Sequence, residues 1–123
     1  MEPNVANQQE TDPIVAQVKA GVKDAAKPFT LLFRLQVMEG TRETFEAAFA
    51  KASEATHQET GILTYDLNRD AKDATSYILY ERYKSLADLE AHVRMPYITR
   101  LFREFAEVLA RAPELQVLMP AGE

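Results

Sequence analysis

The chain has 123 residues, 46% of them hydrophobic and 27% charged, with a net charge of −5, values typical of one small globular domain. The acidic balance argues against nucleic acid as a partner, because phosphate binding needs a basic face, and the absence of cysteine excludes disulfides, thiolate nucleophiles and cysteine-based metal sites. Neither a secretory signal nor a membrane-spanning segment is visible, so we expect a cytoplasmic protein without a membrane partner.

Residues 1–27 are predicted to form an extension ahead of a domain at 28–123. Residues 1–11 are polar and unpatterned, which is typical of a disordered tail. Asp12-Pro13 favours a helix start, and an apolar stripe follows it. The members of the stripe are Ile14, Val15, Val18 and Val22. We expect this short amphipathic helix to dock on its own domain or on a partner subunit, because it is marginal alone.

The domain itself alternates strand and helix patterns. Period-2 alternation predicts strands at 29–37 and 62–69, and a polar connection leads to a third strand at 77–84. A helix between the first two strands is predicted to stop at Gly61. Ser85 and Asp88 form a capping box for another helix, which Pro96 ends or kinks. A long helix and a short strand at 115–119 complete the chain.

The predicted order is therefore β-α-β-β-α-β, an α+β fold of the ferredoxin-like class with an added N-terminal helix. Its antiparallel sheet carries both main helices on one face. Leu32, Ile78 and Tyr80 are candidates for the uncovered face, although the sequence does not fix which parity points outward. A large apolar sheet face is seldom left exposed, so we expect a second surface to cover it.

Two histidines are the candidates for acid–base chemistry near neutral pH. His92 lies on the flank of a helical apolar stripe that faces the sheet, where it is either a general base or a core-edge histidine bonded to a carbonyl. His57 lies near a helix C-terminus, where a favourable cation is the simpler interpretation. Glu81 interrupts an apolar strand and needs a partner or a raised pKa. That partner is either His92 or an arginine such as Arg34 or Arg69.

Further side chains are candidates for binding a substrate. Tyr65, Tyr77 and Tyr83 either line a pocket or are core aromatics. Asn68 and Arg34 either hydrogen-bond a ligand or belong to a wet strand face. No phosphate-binding loop, nucleotide fingerprint or metal-ligand spacing is present in the sequence. We therefore expect no metal and no tightly held cofactor.

One stretch resembles the antibiotic biosynthesis monooxygenase domain family. Glu81-x-Tyr83, a short link, Leu-Glu-Ala-His92 and then Pro96 are similar to the family's acid, aromatic, helical histidine and Thr-Pro-His. This chain has Met95 and Tyr97 where the family often has Thr and His, and the resemblance covers roughly residues 29–119. It implies a homodimer in which two sheets pair as a dimeric α+β barrel. It also raises His92 as the acid–base residue, with Glu81 beside it and Tyr97 near the substrate.

The resemblance leaves three functions open. The first is a cofactor-independent monooxygenase acting on a quinol, anthrone or similar aromatic polyol. The second is an isomerase of a small phosphorylated diketone, because Tyr80-Glu81-x-Tyr83-Lys84 and Leu118-Met119-Pro120 look like the autoinducer-processing branch. The third is a non-catalytic ligand-binding dimer. A haem-degrading relative is disfavoured, because the first strand offers Arg34 and Gln36 instead of asparagine and the chain has no tryptophan.

Overall fold

A computed structural model of the protein describes residues 4–122. Its elements are α1 (Asn4–Gly21), β1 (Phe29–Gln36), α2 (Arg42–Thr56), β2 (Ile62–Arg69), β3 (Ser76–Tyr83), α3 (Leu86–Val93), α4 (Pro96–Val108) and β4 (Glu114–Leu118). The β-α-β-β-α-β order and the added N-terminal helix are confirmed. No helix among the described residues is long and apolar enough to cross a membrane.

The N-terminal helix is longer than its sequence predicts. α1 begins at Asn4, ahead of the expected start at Asp12-Pro13, so the predicted disordered tail is wrong from Asn4 onward. Residues 1–3 of that tail lie outside the described residues. Pro13 lies inside the helix, where its ring removes a backbone hydrogen bond without ending the helix. α1 docks on its own domain, and Val18 is completely buried there.

The four strands form one antiparallel sheet in the order β2-β3-β1-β4. β3 lies in the centre and pairs with β1 on one side, where Leu31 is opposite Glu81. On its other side it pairs with β2, and Tyr65 is opposite Glu81. The two neighbours of β3 therefore place Leu31 and Tyr65 on either side of the Glu81 carboxyl.

Strand alternation divides the sheet into two unlike faces. The face beneath the helices holds the core, with Leu31, Leu79 and Tyr83 almost fully buried. On the outer face Ile78 and Tyr80 are each 36% exposed, and Leu32 is half-buried between them and β4. The three candidates for the uncovered face are thus confirmed.

Three residues predicted to mark helix ends are Ser85, Pro96 and Gly61. The Ser85 hydroxyl accepts a hydrogen bond from the Asp88 amide at the start of α3, as the capping box predicts. Pro96 begins α4 two residues after the α3 cap, so the predicted break is confirmed. Gly61 has another role than the predicted helix stop, because α2 already ends at Thr56. A Cβ on Gly61 would collide with the Asp88 side chain, so a glycine is required there by close approach.

Candidate active site

A cavity of about 430 Å³ lies between the sheet and helices α1, α3 and α4. Most of its wall is apolar, from β1 (Leu31, Phe33, Leu35) and from α4 (Leu101, Phe102, Phe105). Polar side chains gather where β2 and β3 meet α3. We call this region the acid–base end of the cavity, and it consists of Tyr65, Glu81, Tyr83 and His92.

The acid–base end follows from strand alternation and from the short link into α3. Glu81 and Tyr83 are two residues apart on β3 and therefore share the helix-covered face. The Tyr83 hydroxyl donates a 2.5 Å hydrogen bond to Glu81 Oε1. α3 starts directly after this strand and carries His92 back over it, so that the imidazole centroid lies 5.8 Å from that of Tyr83 and 5.5 Å from that of Tyr65.

His92 has an acidic partner that the sequence reasoning missed. Its Nδ1 lies 3.0 Å from Oε2 of Glu59, in the connection between α2 and β2. The same oxygen accepts a hydrogen bond from the Tyr97 hydroxyl. The His92 side chain is only 4% exposed and that of Glu59 14%. Because Glu59 occupies Nδ1, Nε2 is the ring nitrogen left for a ligand.

The two carboxyls near His92 have opposite pKa shifts. Burial opposes ionisation of Glu59, but the hydrogen bonds from His92 and Tyr97 outweigh it and hold the pKa of Glu59 below its ordinary value. Burial raises the pKa of Glu81, and neither the charge of His92 nor the Tyr83 hydrogen bond offsets it. Acids whose environments move their pKa values apart are suited to different roles. The lowered pKa of Glu59 favours its carboxylate form, and the burial of Glu81 favours its protonated form.

The surrounding phenols are poor proton donors in the acid–base sense. Burial is the largest cause that raises the pKa of Tyr65 and of Tyr83 well above their ordinary value. They therefore stay neutral and act as hydrogen-bond donors and walls. In the part of the chain that the structure describes, no group of three or more His, Cys, Asp or Glu side chains could hold a metal ion.

The structure brings together only some of the predicted site residues. Tyr65, Glu81, Tyr83 and His92 line the cavity. Tyr97 does not line the cavity, but its ring lies edge-on to that of His92, with 6.1 Å between the centroids, and its hydroxyl donates to Glu59. The alternative salt bridge from Glu81 to an arginine does not form, because Arg34 lies on the other sheet face and Arg69 pairs with Glu46.

Three predicted substrate-binding residues lie elsewhere. Arg34 and Asn68 are exposed and pair with Ile78 from either side, which places them on the outer face of the sheet. Tyr77 faces the helices, but its ring packs on Phe45 and its hydroxyl donates to Glu46. Arg34 and Asn68 are outside the cavity because they lie on the opposite face of the sheet. Tyr77 is outside it because it lies at the other end of β3 from Glu81 and Tyr83.

Glu59 could not be found from local pattern. It follows the last periodic residue of α2 and lies 33 positions from His92. The one signal in the sequence is an acidic residue next to a predicted turn. Nothing in the sequence indicates that this residue contacts His92.

Comparison with known proteins adds the family context. A family model described as antibiotic biosynthesis monooxygenase matches residues 28–104. The chain is 28% identical to "Putative monooxygenase Rv0793" of Mycobacterium tuberculosis over 78% of this chain and 94% of that protein. It is 24% identical to the uncharacterized protein sll1783 of Synechocystis over 78% of this chain, and it spans 65% of that relative's length.

Solved structures show the same fold. That of Rv0793 superposes with a TM-score of 0.73 and 27% identity over 79% of this chain and 98% of the other. A Nitrosomonas europaea protein superposes with a TM-score of 0.75 and 21% identity over 82% of this chain and 97% of that one.

Proposed function

The chain belongs to the antibiotic biosynthesis monooxygenase family, and from that premise we propose that it is a monooxygenase that needs no bound cofactor. Its substrate is a quinol, an anthrone or a similar aromatic polyol. The observation that carries the proposal is the His92–Glu59 pair at the polar end of an otherwise apolar cavity. The cytoplasmic location stays a prediction.

The first step is removal of a proton from the substrate by His92. Nε2 accepts the proton, while Glu59 at Nδ1 stabilises the imidazolium that forms. The apolar walls exclude water and keep the resulting anion electron-rich. Tyr65 and Tyr83 bound the ring system of the substrate, and Glu81 in its protonated form, which burial favours, supplies a hydrogen bond to a substrate oxygen.

The anion then reacts with dioxygen. In the case of an anthrone, the methylene carbon loses two hydrogens and gains one oxygen atom as a new carbonyl. The other oxygen atom leaves as water with those two hydrogens. The substrate loses four electrons and dioxygen accepts four, so the reaction needs no further reductant. Glu81 and His92 are placed to return protons to the departing oxygen.

The test is oxygen consumption with anthrone and with 1,4-dihydroxynaphthalene as trial substrates. We expect His92→Ala to lower turnover by about 10²–10⁴-fold, the usual contribution of a positioned acid–base group. His57→Ala is the matched control and should leave turnover unchanged, since His57 lies at the end of α2 away from the cavity. With ¹⁸O₂, one labelled atom should enter the product.

Two outcomes would contradict this assignment. A folded His92→Ala variant with full activity would remove His92 from the mechanism. A large fall in melting temperature on the same substitution, with binding of a product quinone unchanged, would show that the histidine is structural. Binding without any oxygen consumption by the wild-type chain would favour a non-catalytic ligand-binding protein.

The isomerase of a phosphorylated diketone fits the cavity less well. Among the described residues, no lysine or arginine lines the cavity, and Glu81 does. A phosphate group wants cationic or backbone N–H partners, and this wall offers hydrocarbon and hydroxyls. Proton transfer on a phosphorylated diketone without oxygen consumption would nevertheless decide for the isomerase.

We propose further that two copies pair through the outer faces of their sheets. Ile78 and Tyr80 are each 36% exposed beside half-buried Leu32, and an apolar patch of this kind usually marks an interface. Sedimentation at micromolar concentration should find a dimer, and Ile78→Lys should shift it toward monomer. A wild-type chain that is only monomeric at that concentration would contradict the pairing.

A further inference from the structure

The cavity has a second end, which is formed by a segment outside the family region. The family model matches residues 28–104, so α1 lies ahead of it. Pro13, Ile14 and Gln17 of α1 nevertheless line the cavity, together with Leu115 of β4. We call Ile14, Gln17 and Leu115 the α1 end of the cavity.

The two ends are far apart across the sheet. The acid–base end lies over β2 and β3, whereas Leu115 lies on β4, three strands from β2 in the order β2-β3-β1-β4. Strand spacings of about 4.8 Å put Leu115 roughly 10 Å from β3, which carries Glu81 and Tyr83, and roughly 14 Å from β2, which carries Tyr65. A ligand that touches both ends is therefore elongated, and its middle lies against the apolar residues of β1 and α4.

α1 is held in place by contacts that lie outside the cavity. Val18 is completely buried, and Lys19 Nζ lies 3.8 Å from Glu90 Oε2 of α3. A Cβ on Gly21 would lie 3.2 Å from Val117 Cγ1, so the end of the helix packs closely on β4. The cavity wall that α1 supplies is thus fixed to the domain at several points along the helix.

Gln17 gives this end a polar group. Its Nε2 donates a 3.0 Å hydrogen bond to the Leu115 carbonyl oxygen, which leaves Oε1 as the hydrogen-bond acceptor of the amide. An acceptor at the rim of an apolar cavity favours a ligand that carries a hydroxyl at that position. Ile14, one helical turn earlier and half-buried, supplies an apolar contact beside it.

We propose that α1 forms the second half of the substrate site, with Ile14 setting its length and Gln17 accepting a hydrogen bond from a hydroxyl on the end of the substrate remote from His92. This rests on the proposed function for the identity of the reactive end. The cavity of about 430 Å³ has room for on the order of fourteen waters at about 30 Å³ each. A fused aromatic polyol of two or three rings, hydroxylated at both ends, matches that size and both polar ends.

The test is binding, measured by titration calorimetry with two compounds already at the quinone oxidation level and with resorcinol, whose meta hydroxyls cannot form a quinone. 2,6-Dihydroxyanthraquinone carries hydroxyls at both ends, 2-hydroxyanthraquinone carries one, and resorcinol is a single ring. We expect Ile14→Phe to weaken binding of 2,6-dihydroxyanthraquinone about tenfold by overfilling the α1 end, and to change resorcinol binding by less than about twofold. Ala16→Phe is the matched control, since Ala16 is exposed on the same helix.

A second pair of variants separates the hydrogen bond from the anchoring of α1. Gln17→Ala should abolish the preference for 2,6-dihydroxyanthraquinone over 2-hydroxyanthraquinone. Lys19→Ala loosens an anchor outside the cavity and should leave that preference intact. If Lys19→Ala reproduces the loss, Gln17 acts only as an anchor and the hydrogen bond is not made.

The remaining outcomes decide between the two proposals. Ile14→Phe and Ala16→Phe with equal affinities, or equal weakening of all three compounds by Ile14→Phe, would overturn the role of α1 while leaving the monooxygenase intact. A wild-type chain that binds none of the compounds would also overturn it. A chain that binds as expected but consumes no oxygen with any trial substrate would overturn the monooxygenase and leave the α1 end standing.

Discussion

Strand β3 carries two tyrosines that each donate a hydrogen bond to a glutamate, and the two pairs behave in opposite ways. Tyr77 donates to Glu46 and Tyr83 to Glu81, each at 2.5 Å. The hydrogen bonds from Tyr77 and Arg69 hold the pKa of Glu46 below its ordinary value. Burial raises the pKa of Glu81. The same donor and acceptor thus accompany a lowered carboxyl pKa at one end of the strand and a raised one at the other.

The difference lies in what surrounds the carboxyl. Arg69 places Nε and a terminal nitrogen 3.0 and 3.3 Å from the two oxygens of Glu46, and the Glu46 side chain is 35% exposed. Glu81 is 6% exposed, and the His92 imidazole near it is already engaged by Glu59. The pKa of a hydrogen-bonded carboxyl is therefore lowered where water and a guanidinium compensate its charge, and raised where neither does.

The largest difference should appear in turnover, between removal of the Glu59 carboxylate beside His92 and removal of the Glu46 carboxylate beside Tyr77. Glu59→Gln keeps the shape of the side chain but removes the anion behind His92, so we expect about a hundredfold loss, at the low end for a general base. Glu46→Gln is the control and should stay within about twofold. Oxygen consumption as a function of pH checks this.

A positioning role for Glu59 has a signature in the steady-state constants. Without the anion behind Nδ1, only the transition state loses stabilisation, so kcat should fall and KM should change little. A Glu59→Gln variant in which KM rises and kcat is unchanged would mean that Glu59 serves only packing.

A smaller difference should appear in stability when each phenol hydroxyl is removed. Tyr83→Phe leaves buried Glu81 without its donor and should lower the free energy of unfolding by about 1–3 kcal/mol. Tyr77→Phe leaves Glu46 with Arg69 and water, so its cost should be below about 1 kcal/mol. Urea unfolding of both variants measures the two costs. Equal losses of unfolding free energy for Tyr83→Phe and Tyr77→Phe would show that burial does not distinguish the two hydrogen bonds.

The smallest difference concerns how stability responds to pH. The pKa of Glu81 is raised from 4.5, so the unfolded chain ionises first and stability falls as pH rises from about 4.5 toward the folded value. The pKa of Glu46 is lowered, so its contribution is present above about 4.5 and is lost as pH falls through the folded value.

Glutamine at each position separates these two slopes. Glu81→Gln should flatten the fall above pH 4.5 by at most about 1.4 kcal/mol per pH unit, the limit for one proton. Glu46→Gln should instead flatten the fall below that pH. Melting temperatures between pH 3 and pH 8 check both. The same change in slope for both variants would contradict the opposite pKa shifts.

Most of the fold was open to prediction because its signals are local. Period-2 strands, the Ser85 capping box and Pro96 each depend on residues within one turn or a few positions. Membership of His92, Glu81 and Tyr83 in one cluster was also predictable, since a short link joins their strand and helix. The N-terminal start of α1 was not, because Pro13 resembles a helix beginning as closely as it resembles an interior proline.

The errors in the predicted site come from three-dimensional positions that an alternating strand pattern does not show. Tyr77 and Tyr83 have the same parity and share a face, but six residues at about 3.3 Å each separate them by roughly 20 Å. To place Arg34 and Asn68 correctly, one must know which alternate residues of each strand face the helices, and the sequence does not show this. Glu59 required the packing of a loop against α3, a tertiary contact with no periodic signature.

Gly61 lies in the same loop as Glu59, and its lack of a side chain lets this loop pack against α3. Gly61 touches no part of the cavity, yet any side chain there would meet Asp88 at the start of α3, and α3 carries His92 toward the loop that carries Glu59. Directed evolution toward new substrates would therefore find position 61 almost immutable. In the proposed site, changes at Ile14 and Gln17 of α1 would alter the substrate range without moving the Glu59–His92 pair.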